Sequence, residues 1–249
     1  MRLAVIADVH ANLPALEAVL SAIERADVAR VICLGDMVGY NAEPASCLRL
    51  LRSRVDTFVA GNHDIDVACR KLSPGTSLIA RDVQAWTRAQ LDDEAIRFLS
   101  DLPRVVSDPA GFVAAHGCYL NTLFYTGYVT GTMLEKNLVA IRDHPTWPKL
   151  AFCGHTHVPM VAWLLGGEVD ERAADHPNTW PAEAEAVLVN PGSVGQPRDG
   201  DARASFALVD IERSTVTIER TAYDIERACR AIAAARLPLD LVTRLREGR

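Results

Sequence analysis

Short apolar runs alternate with helix-like spacing over the first third of the chain. Residues 3–7 (LAVIA), 31–35 (VICLG) and 57–61 (TFVAG) are typical of buried strands. Between the first two runs, apolar residues recur every three or four positions, as on one face of a helix: Leu16, Val19, Leu20 and Ile23. A second helix is predicted through residues 47–51, introduced by Pro44. This order of strands and helices predicts a parallel sheet covered by helices.

Two later stretches have helical patterns. Residues 65–101 are predicted to be mostly helical, with a break at Ser73-Pro74-Gly75. The chain after Asp224 is also predicted to be helical, because three apolar residues share one face: Ile225, Cys229 and Ile232.

Further strands and loops follow from the same patterns. Strands are predicted at 112–115, 150–153, 161–165 and 186–190. Residues 205–211 and 215–221 alternate around 212–214 and predict an antiparallel hairpin. Residues 118–130 are predicted to form a loop over the site, and residues 166–184 a polar surface insertion.

The composition suits a single α/β domain over residues 1–249. Hydrophobic residues make up 49% of the 249 positions, which is enough for a large core. The net charge of −6 makes nucleic acid an unlikely general partner, because phosphate backbones are bound by basic surfaces. No stretch is long enough to span a bilayer, and no two of the six cysteines form a C-x-x-C pair. We therefore expect a reduced, cytoplasmic protein with no membrane partner; the oligomeric state is not specified.

Residues of metal-binding type follow the predicted strands. The runs are Asp8-Val9-His10, Gly35-Asp36, Gly61-Asn62-His63-Asp64, His116-Gly117 and Gly154-His155-Thr156-His157. Imidazole, carboxylate and amide groups bind divalent metals, and strand ends converge on one rim of a sheet. Residues two apart in extended backbone point the same way, so His155 and His157 are predicted to face one centre, as are Asp8 and His10. These runs predict a metal-centred active site.

Two residues of these runs have distinct predicted roles. Asp36 is predicted to bridge two cations, because only a carboxylate has two oxygens that hold cations about 3.5–4 Å apart. His63 lies next to Asn62 and is predicted to point elsewhere. It is therefore a candidate proton donor to a leaving group and not a ligand.

Each run taken alone has a structural alternative. Asp8 can cap the helix that follows it, with His10 in solvent, and Asp36 can also cap a helix. Gly61-Asn62 can form a polar turn, and a single histidine such as His116 is more often structural.

Loop residues supply candidates for substrate contacts. The candidates are Asn12, Tyr40 and Arg198, with Tyr119, Asn121 and Tyr125 as further pocket residues. For the aromatic residues the alternative is packing within their own loops. For Arg198 the alternative is a salt bridge to Asp199 or Asp201.

The joint pattern D-x-H, G-D, G-N-H-D, H and G-H-x-H, in this order from Asp8 to His157, resembles the calcineurin-like metallophosphoesterase superfamily. The run Asn190-Pro191-Gly192-Ser193 is similar to one in its small bacterial, phosphodiesterase-like members. The resemblance implies an α/β four-layer sandwich, with two mixed β-sheets packed face to face and flanked by helices.

The resemblance also implies a centre of two metal ions. The first would be held by Asp8, His10, Asp36 and His157. The second would be held by Asp36, Asn62, His116 and His155. A hydroxide shared by the metals would attack phosphorus, and His63 would protonate the leaving oxygen. The nitrogen and oxygen ligands permit manganese, iron, cobalt, nickel or zinc.

One departure from the family narrows the substrate class. Ser/Thr protein phosphatases carry G-D-x-V-D-R-G at the second run, in which the second Asp orients the catalytic His and the Arg binds phosphate. This chain has Gly39 and Tyr40 in their places. The resemblance therefore favours phosphodiesters or small organic phosphates over phosphoproteins. The alternatives are a phosphomonoesterase, a non-catalytic metal-binding scaffold and, against the acidic charge, a nuclease.

Overall fold

Twelve strands and eight helices form the fold in a computed structural model that describes residues 1–70, 78–120 and 127–249. The strands are β1 (Arg2–Ile6), β2 (Arg30–Cys33), β3 (Thr57–Phe58), β4 (Val105–Asp108), β5 (Phe112–Ala115), β6 (Leu150–Phe152), β7 (Met160–Leu165), β8 (Glu168–Arg172), β9 (Asn178–Thr179), β10 (Ala186–Asn190), β11 (Ala204–Asp210) and β12 (Thr215–Thr221). The helices are α1 (Leu13–Glu24), α2 (Pro44–Arg52), α3 (Asn62–Cys69), α4 (Leu78–Ala89), α5 (Asp93–Asp101), α6 (Thr132–Asp143), α7 (Ile225–Ala234) and α8 (Asp240–Glu247).

The strands form two mixed sheets of six strands each. The first has the order β3-β2-β1-β11-β12-β9 and the second the order β4-β5-β6-β10-β7-β8. Strands β1, β2 and β3 are parallel, as predicted, and β11 joins them antiparallel to β1. In the second sheet β5, β6 and β10 are parallel. The carboxyl ends of these parallel neighbours lie at one edge of each sheet, which is where the polar runs begin.

The sheets pack face to face, with helices outside. Leu3 of β1 belongs to the core between the sheets together with Phe152 of β6. Side chains alternate along a strand, so other residues of β1 face outward and pack on helices. Ile6 of β1 and Leu16 of α1, for example, share a second core. Leu138 of α6 packs on the outer face of the second sheet. The four-layer sandwich that the resemblance implied is confirmed.

Several predicted elements are confirmed and one segment is corrected. The hairpin is β11–β12, and residue 224 caps α7. Residues 166–184, predicted to be a surface insertion, instead contain β8 and β9. Gly166 and Gly167 have positive φ values, so the chain turns tightly and β8 pairs with β7. The side chains of β8 are mostly exposed, as expected of a surface segment. The predicted break at 73–75 lies outside the described residues.

None of the helices in the described parts of the chain is long and apolar enough to cross a bilayer.

An ion pair joins the two sheets at one end. Arg30 of β2 contacts Asp108 of β4 through two hydrogen bonds, of 3.0 and 2.8 Å. The same guanidinium donates to the Thr57 hydroxyl at 2.6 Å. The hydrogen bonds from Arg30 hold the pKa of Asp108 below its ordinary value. This pair therefore ties the β2–β3 edge of one sheet to the β4 edge of the other.

We expect Asp108→Asn to lower the free energy of unfolding at pH 7 by about 1 kcal/mol, the scale of a partly exposed ion pair. Because the folded pKa of Asp108 is lowered, this stabilisation is present above the ordinary pKa of about 4 and is lost as the pH falls through the folded value. Urea unfolding at pH 7 and pH 3 measures it. Asp143→Asn, which removes an exposed partner of the adjacent Arg142, is the matched control and should have a smaller effect. An Asp108 variant with an equal deficit at both pH values would contradict the pair's contribution.

Candidate metal centre

The polar runs meet where the carboxyl edges of the two sheets come together. The residues are Asp8 and His10 after β1, Asp36 after β2, His116 after β5, His155 and His157 after β6, and Asn62 and His63 at the start of α3. All eight side chains are buried, with exposed fractions between 0% and 8%. Burying so many carboxylates and imidazoles is unfavourable unless a compensating charge is bound.

Asp8, His10 and His157 form the first group of candidate ligands. Their ligand atoms lie within 4.8 Å of one another. Nε2 of His10 is 3.1 Å from Nε2 of His157, which in turn is 3.4 Å from Oδ1 of Asp8. The group combines side chains from both sheets.

Asp36, His116 and His155 form the second group. Oδ2 of Asp36 is 3.3 Å from Nε2 of His116, and that nitrogen is 3.1 Å from Nδ1 of His155. Asn62, the fourth ligand implied for this metal, has a buried Oδ1 with no hydrogen-bond partner among the described residues.

Asp36 contacts both groups. Its Oδ2 lies 3.7 Å from Nε2 of His10 as well as 3.3 Å from Nε2 of His116. Its Oδ1 accepts the backbone N–H of His63 at 2.8 Å. One oxygen is thus oriented by the first turn of α3, while the other faces imidazoles of both groups. The prediction that Asp36 uses both of its oxygens is therefore corrected, because Oδ2 alone faces the two groups.

The Nε2 atoms of His10 and His157 face each other with their lone pairs. In His10, His116 and His157, Nδ1 lies 2.6–3.1 Å from a backbone carbonyl oxygen. A carbonyl only accepts hydrogen bonds, so each Nδ1 carries a proton, and Nε2 is bare in the neutral rings of His10 and His157. Two bare nitrogens 3.1 Å apart, as in His10 and His157, repel each other unless a cation lies between them.

This donor set fits divalent metal ions. Besides the bare Nε2 atoms, the site contains two buried oxygens, Oδ1 of Asp8 and Oδ1 of Asn62. Neither oxygen has a hydrogen-bond partner in the described chain. Nitrogen and oxygen donors without a thiolate suit manganese, iron, cobalt, nickel and zinc. The residues present therefore match the metals that the resemblance implies.

Burial and pairing set the protonation of the metal-free groups. Burial raises the pKa of Asp8 to about 7 and lowers the pKa of His10 and His157 well below the ordinary value. Burial also opposes charge on Asp36 and His116, but their mutual attraction outweighs it. The pKa of Asp36 lies well below its ordinary value, and that of His116 is raised to about 9. In the metal-free chain a proton on His116 therefore offsets the Asp36 charge.

The backbone corrects the prediction of extended loops. The φ values are 54° at Asp8, 47° at His10, 67° at His155 and 62° at His157, all in the left-handed region. In such turns, residues two apart need not point the same way. His155 belongs to the second group and His157 to the first, as the resemblance implied, so the two side chains do not point the same way.

Hydrogen bonds from later in the chain hold the strained loops in place. The Ser193 hydroxyl donates to the carbonyl of Asp8 at 2.8 Å, and the Asn190 amide donates to the carbonyl of Gly154 at 2.9 Å. The Asn41 amide donates to the carbonyl of His10 at 2.8 Å. These three positioning residues had no assigned role in the sequence; the similarity of residues 190–193 to small bacterial members was the signal for two of them.

His63 lies beside both groups. A ring nitrogen of His63 lies within 4.8 Å of ligand atoms of His10 and Asp36, and these three residues form a third group that could hold a metal ion. His63 therefore points into the site and not elsewhere, as the sequence had suggested. Its Nδ1 is buried and has no hydrogen-bond partner among the described residues. Asp64 does not orient it, because its carboxylate accepts three backbone N–H groups instead.

Two predicted substrate contacts have structural roles instead. Asn12 caps α1, since its Oδ1 accepts the N–H of Ala15 at 3.2 Å and its Nδ2 donates to the carbonyl of Gly195 at 2.9 Å. The Tyr119 hydroxyl donates to the buried carbonyl of Phe152 at 2.6 Å. Neither polar group is available to a ligand. The other loop candidates, Asn121 and Tyr125, lie outside the described residues.

Arg198 and Tyr40 lie beside the ligand groups. The guanidinium of Arg198 is 5.8 Å from the centroid of the Tyr40 ring. Asp199 and Asp201, the alternative partners of Arg198, are each paired with another arginine. Burial and then the Arg198 charge lower the pKa of His157, so the field of this cation reaches the first group.

Tyr128 is a residue of the site that the sequence did not single out. Its ring stacks on His155 at 4.2 Å with an interplanar angle of 19°, and it is 49% exposed. Tyr128 lies within the aromatic run 118–130, which was predicted to form a loop over the site. The run thus indicated the region, but nothing in the sequence singled out Tyr128.

The comparison with known families agrees with this geometry. The family model of the calcineurin-like phosphoesterase superfamily domain matches residues 1–214. The chain belongs to this superfamily. It is 32% identical to an uncharacterised protein of Methanocaldococcus jannaschii over 254 residues, which covers 99% of this chain and 98% of that protein. The resemblance seen in the sequence is confirmed.

Two solved structures are similar over the whole chain. A metallophosphoesterase from Sphaerobacter thermophilus has a TM-score of 0.85 and 34% identity, with 100% of this chain and 99% of that one covered. A hypothetical protein from Pyrococcus horikoshii OT3 has a TM-score of 0.80 and 21% identity, covering 100% and 98%. The second likeness concerns the fold alone.

We expect metal binding to this superfamily member to strengthen as the pH rises from 6 to 9. A metal must displace the proton of His116, whose pKa is about 9, and below pH 7 also that of Asp8. Apparent affinity should change by roughly tenfold per pH unit for each proton displaced. Calorimetric titration with manganese, in two buffers of different ionisation enthalpy, counts the protons released at pH 7. Binding with the same affinity at pH 6 and 8 and no proton release would contradict these protonation states.

Proposed function

We propose that this protein is a phosphoesterase that uses two metal ions to hydrolyse phosphodiesters or small organic phosphates. The observation that carries the proposal is the Asp36 carboxylate, one oxygen of which faces imidazoles of both ligand groups. The first metal would be held by Asp8, His10, Asp36 and His157. The second would be held by Asp36, Asn62, His116 and His155.

Hydrogen bonds within the protein orient the metal-ligand atoms before any metal is bound. When bound, two such cations lower the pKa of a water molecule and offset the charge of the phosphoryl oxygens. The Nδ1 hydrogen bonds of His10, His116 and His157 to backbone carbonyls fix both ring orientation and tautomer. The burial of the groups excludes bulk water, which strengthens each electrostatic contact.

His63 is the proposed proton donor to the leaving oxygen. It lies beside the ligand groups, and its Nδ1 is enclosed by protein without a hydrogen-bond partner in the described chain. Nε2 is therefore the atom left to approach a substrate. A proton delivered there helps most when the leaving oxygen is strongly basic.

Arg198 is the proposed contact for a phosphoryl oxygen. Neither neighbouring carboxylate occupies it, and its charge reaches the first ligand group. A planar guanidinium can donate two parallel hydrogen bonds to a phosphate.

The proposed preference for diesters follows from charge. The Arg that protein phosphatases carry beside the second run is replaced by Tyr40, whose ring is 7% exposed. A monoester dianion has one more negative charge than a diester, so it loses more where Arg198 is the one proposed cationic contact and the second arginine is replaced.

Hydrolysis of bis-p-nitrophenyl phosphate and p-nitrophenyl phosphate by enzyme reconstituted with each candidate metal tests the proposal. We expect a higher kcat/KM for the diester and no activity after chelation. His155→Ala should abolish hydrolysis, whereas His176→Ala, a change at an exposed histidine, is the matched control and should not. A preference for the monoester would contradict the proposed preference for diesters and favour the phosphomonoesterase alternative. Metal binding without activity on either ester would contradict the enzymatic function and favour a scaffold.

A further inference from the structure

We propose that Gly39 and Tyr40 position His63 by packing, where protein phosphatases use a hydrogen-bonded carboxylate. The inference rests on the proposed function, in which His63 acts on the leaving oxygen. Gly39 and Tyr40, the two residues that depart from the protein phosphatase pattern, would thus share the role of positioning His63.

The His63 ring is not oriented through Nδ1. This atom is buried and has no hydrogen-bond partner among the described residues. The neighbouring Asp64 is committed to backbone N–H groups at 2.9–3.3 Å. A ring with no directional contact at this atom must be held by its van der Waals neighbours.

Gly39 lies directly against the edge of that ring. A Cβ atom added at Gly39 would lie 2.5 Å from Nδ1 and 3.2 Å from Cγ of His63. Gly39 also has φ +89°, which side chains other than glycine rarely adopt. An aspartate at this position is therefore incompatible with the present place of the His63 ring. The ring packs directly against the backbone of Gly39.

Tyr40 holds the ring from another side. The Tyr40 centroid is 4.7 Å from that of His63 and 4.7 Å from that of His10, and the two histidine rings are 4.9 Å apart, nearly perpendicular. Three rings in mutual contact leave His63 little freedom to rotate. His10 is itself fixed by the carbonyl of Val38.

The hydrophobic cluster around Tyr40 makes this support rigid. Tyr40 shares it with Val83 of α4, Ile232 of α7 and Leu241 of α8, each fully buried. Arg198 lies over the Tyr40 ring. Three outer helices thus pack on Tyr40, which in turn contacts the His63 ring. Because this packing encloses Nδ1, Nε2 is the ring nitrogen left to carry the transferable proton.

The central test compares Tyr40→Ala, Tyr40→Phe, His63→Ala and the double variant Tyr40→Ala/His63→Ala. Substrates are methyl p-nitrophenyl phosphate and methyl phenyl phosphate, which differ only in leaving group. We expect Tyr40→Ala to lower kcat on the phenyl ester by about tenfold or more with little change in KM, since small misplacements of a catalytic group cost up to about 100-fold. Tyr40→Phe keeps the ring and should retain the wild-type ratio between the two esters. The double variant should be no slower than His63→Ala, because Tyr40 acts through His63.

A second variant tests the packing of Gly39 against the His63 ring without removing a contact. Gly39→Ala places a methyl group against Nδ1, whereas Gly111→Ala, at φ +99° with nothing within 4 Å, is matched for backbone strain alone. Crystal structures of the zinc-loaded variants should show His63 rotated or split between rotamers in Gly39→Ala and Tyr40→Ala, and unchanged in Gly111→Ala and Tyr40→Phe.

Three results would overturn the positioning role. They are an unchanged His63 ring in both Gly39→Ala and Tyr40→Ala, a loss in Tyr40→Phe equal to that in Tyr40→Ala, and additive losses in the double variant. A His63→Ala enzyme with equal losses on both esters would instead refute the proposed proton transfer. The ring orientations would still decide the positioning.

Discussion

The burial of electron-rich donors at one point is the constraint on which the rest of this structure depends. The bare Nε2 atoms of His10 and His157 approach to 3.1 Å, and Oδ1 of Asp8 has no hydrogen-bond partner in the described chain. Such an arrangement is unfavourable without a bound positive charge. In the metal-free chain a proton on His116 supplies part of that charge to Asp36. Metal ions would displace that proton and supply the positive charge in its place.

The convergence of these donors requires strained backbone in the loops of the site. The packed core and hydrogen bonds of the sandwich hold this strained backbone in place. Among the described non-glycine residues, eleven have positive φ, and seven of these lie in the loops of the site: Asp8, His10, Ala11, Asp36, Tyr40, His155 and His157. Such conformations persist only where the surroundings determine them. Here the N–H of Asp8 donates to Gly35 at 3.0 Å, and Ser193 fixes the Asp8 carbonyl. Strain at the ligands is thus sustained by residues that touch no metal.

The sequence predicted elements and ligand types better than it predicted geometry. Apolar runs located β1 and β2 because buried parallel strands need them on both faces. The site's left-handed turns have no such signal, so the directions of His155 and His157 were misjudged. Helix α6 was missed although Leu134, Leu138 and Ile141 follow helical spacing. The loop aromatic Tyr119 proved to be a core residue, whose hydroxyl donates to the carbonyl of Phe152, a tertiary contact that no local pattern encodes.

The central claim is that Asp36 joins two metal-binding groups, and metal stoichiometry of Asp36→Asn tests it most directly. This substitution keeps the shape of the side chain and removes the charge that both groups share. Elemental analysis after reconstitution and desalting should show two ions per chain in the wild type and in Asp108→Asn, a change at a remote carboxylate. The account predicts that Asp36→Asn loses both ions. Retention of both ions at full occupancy would contradict it.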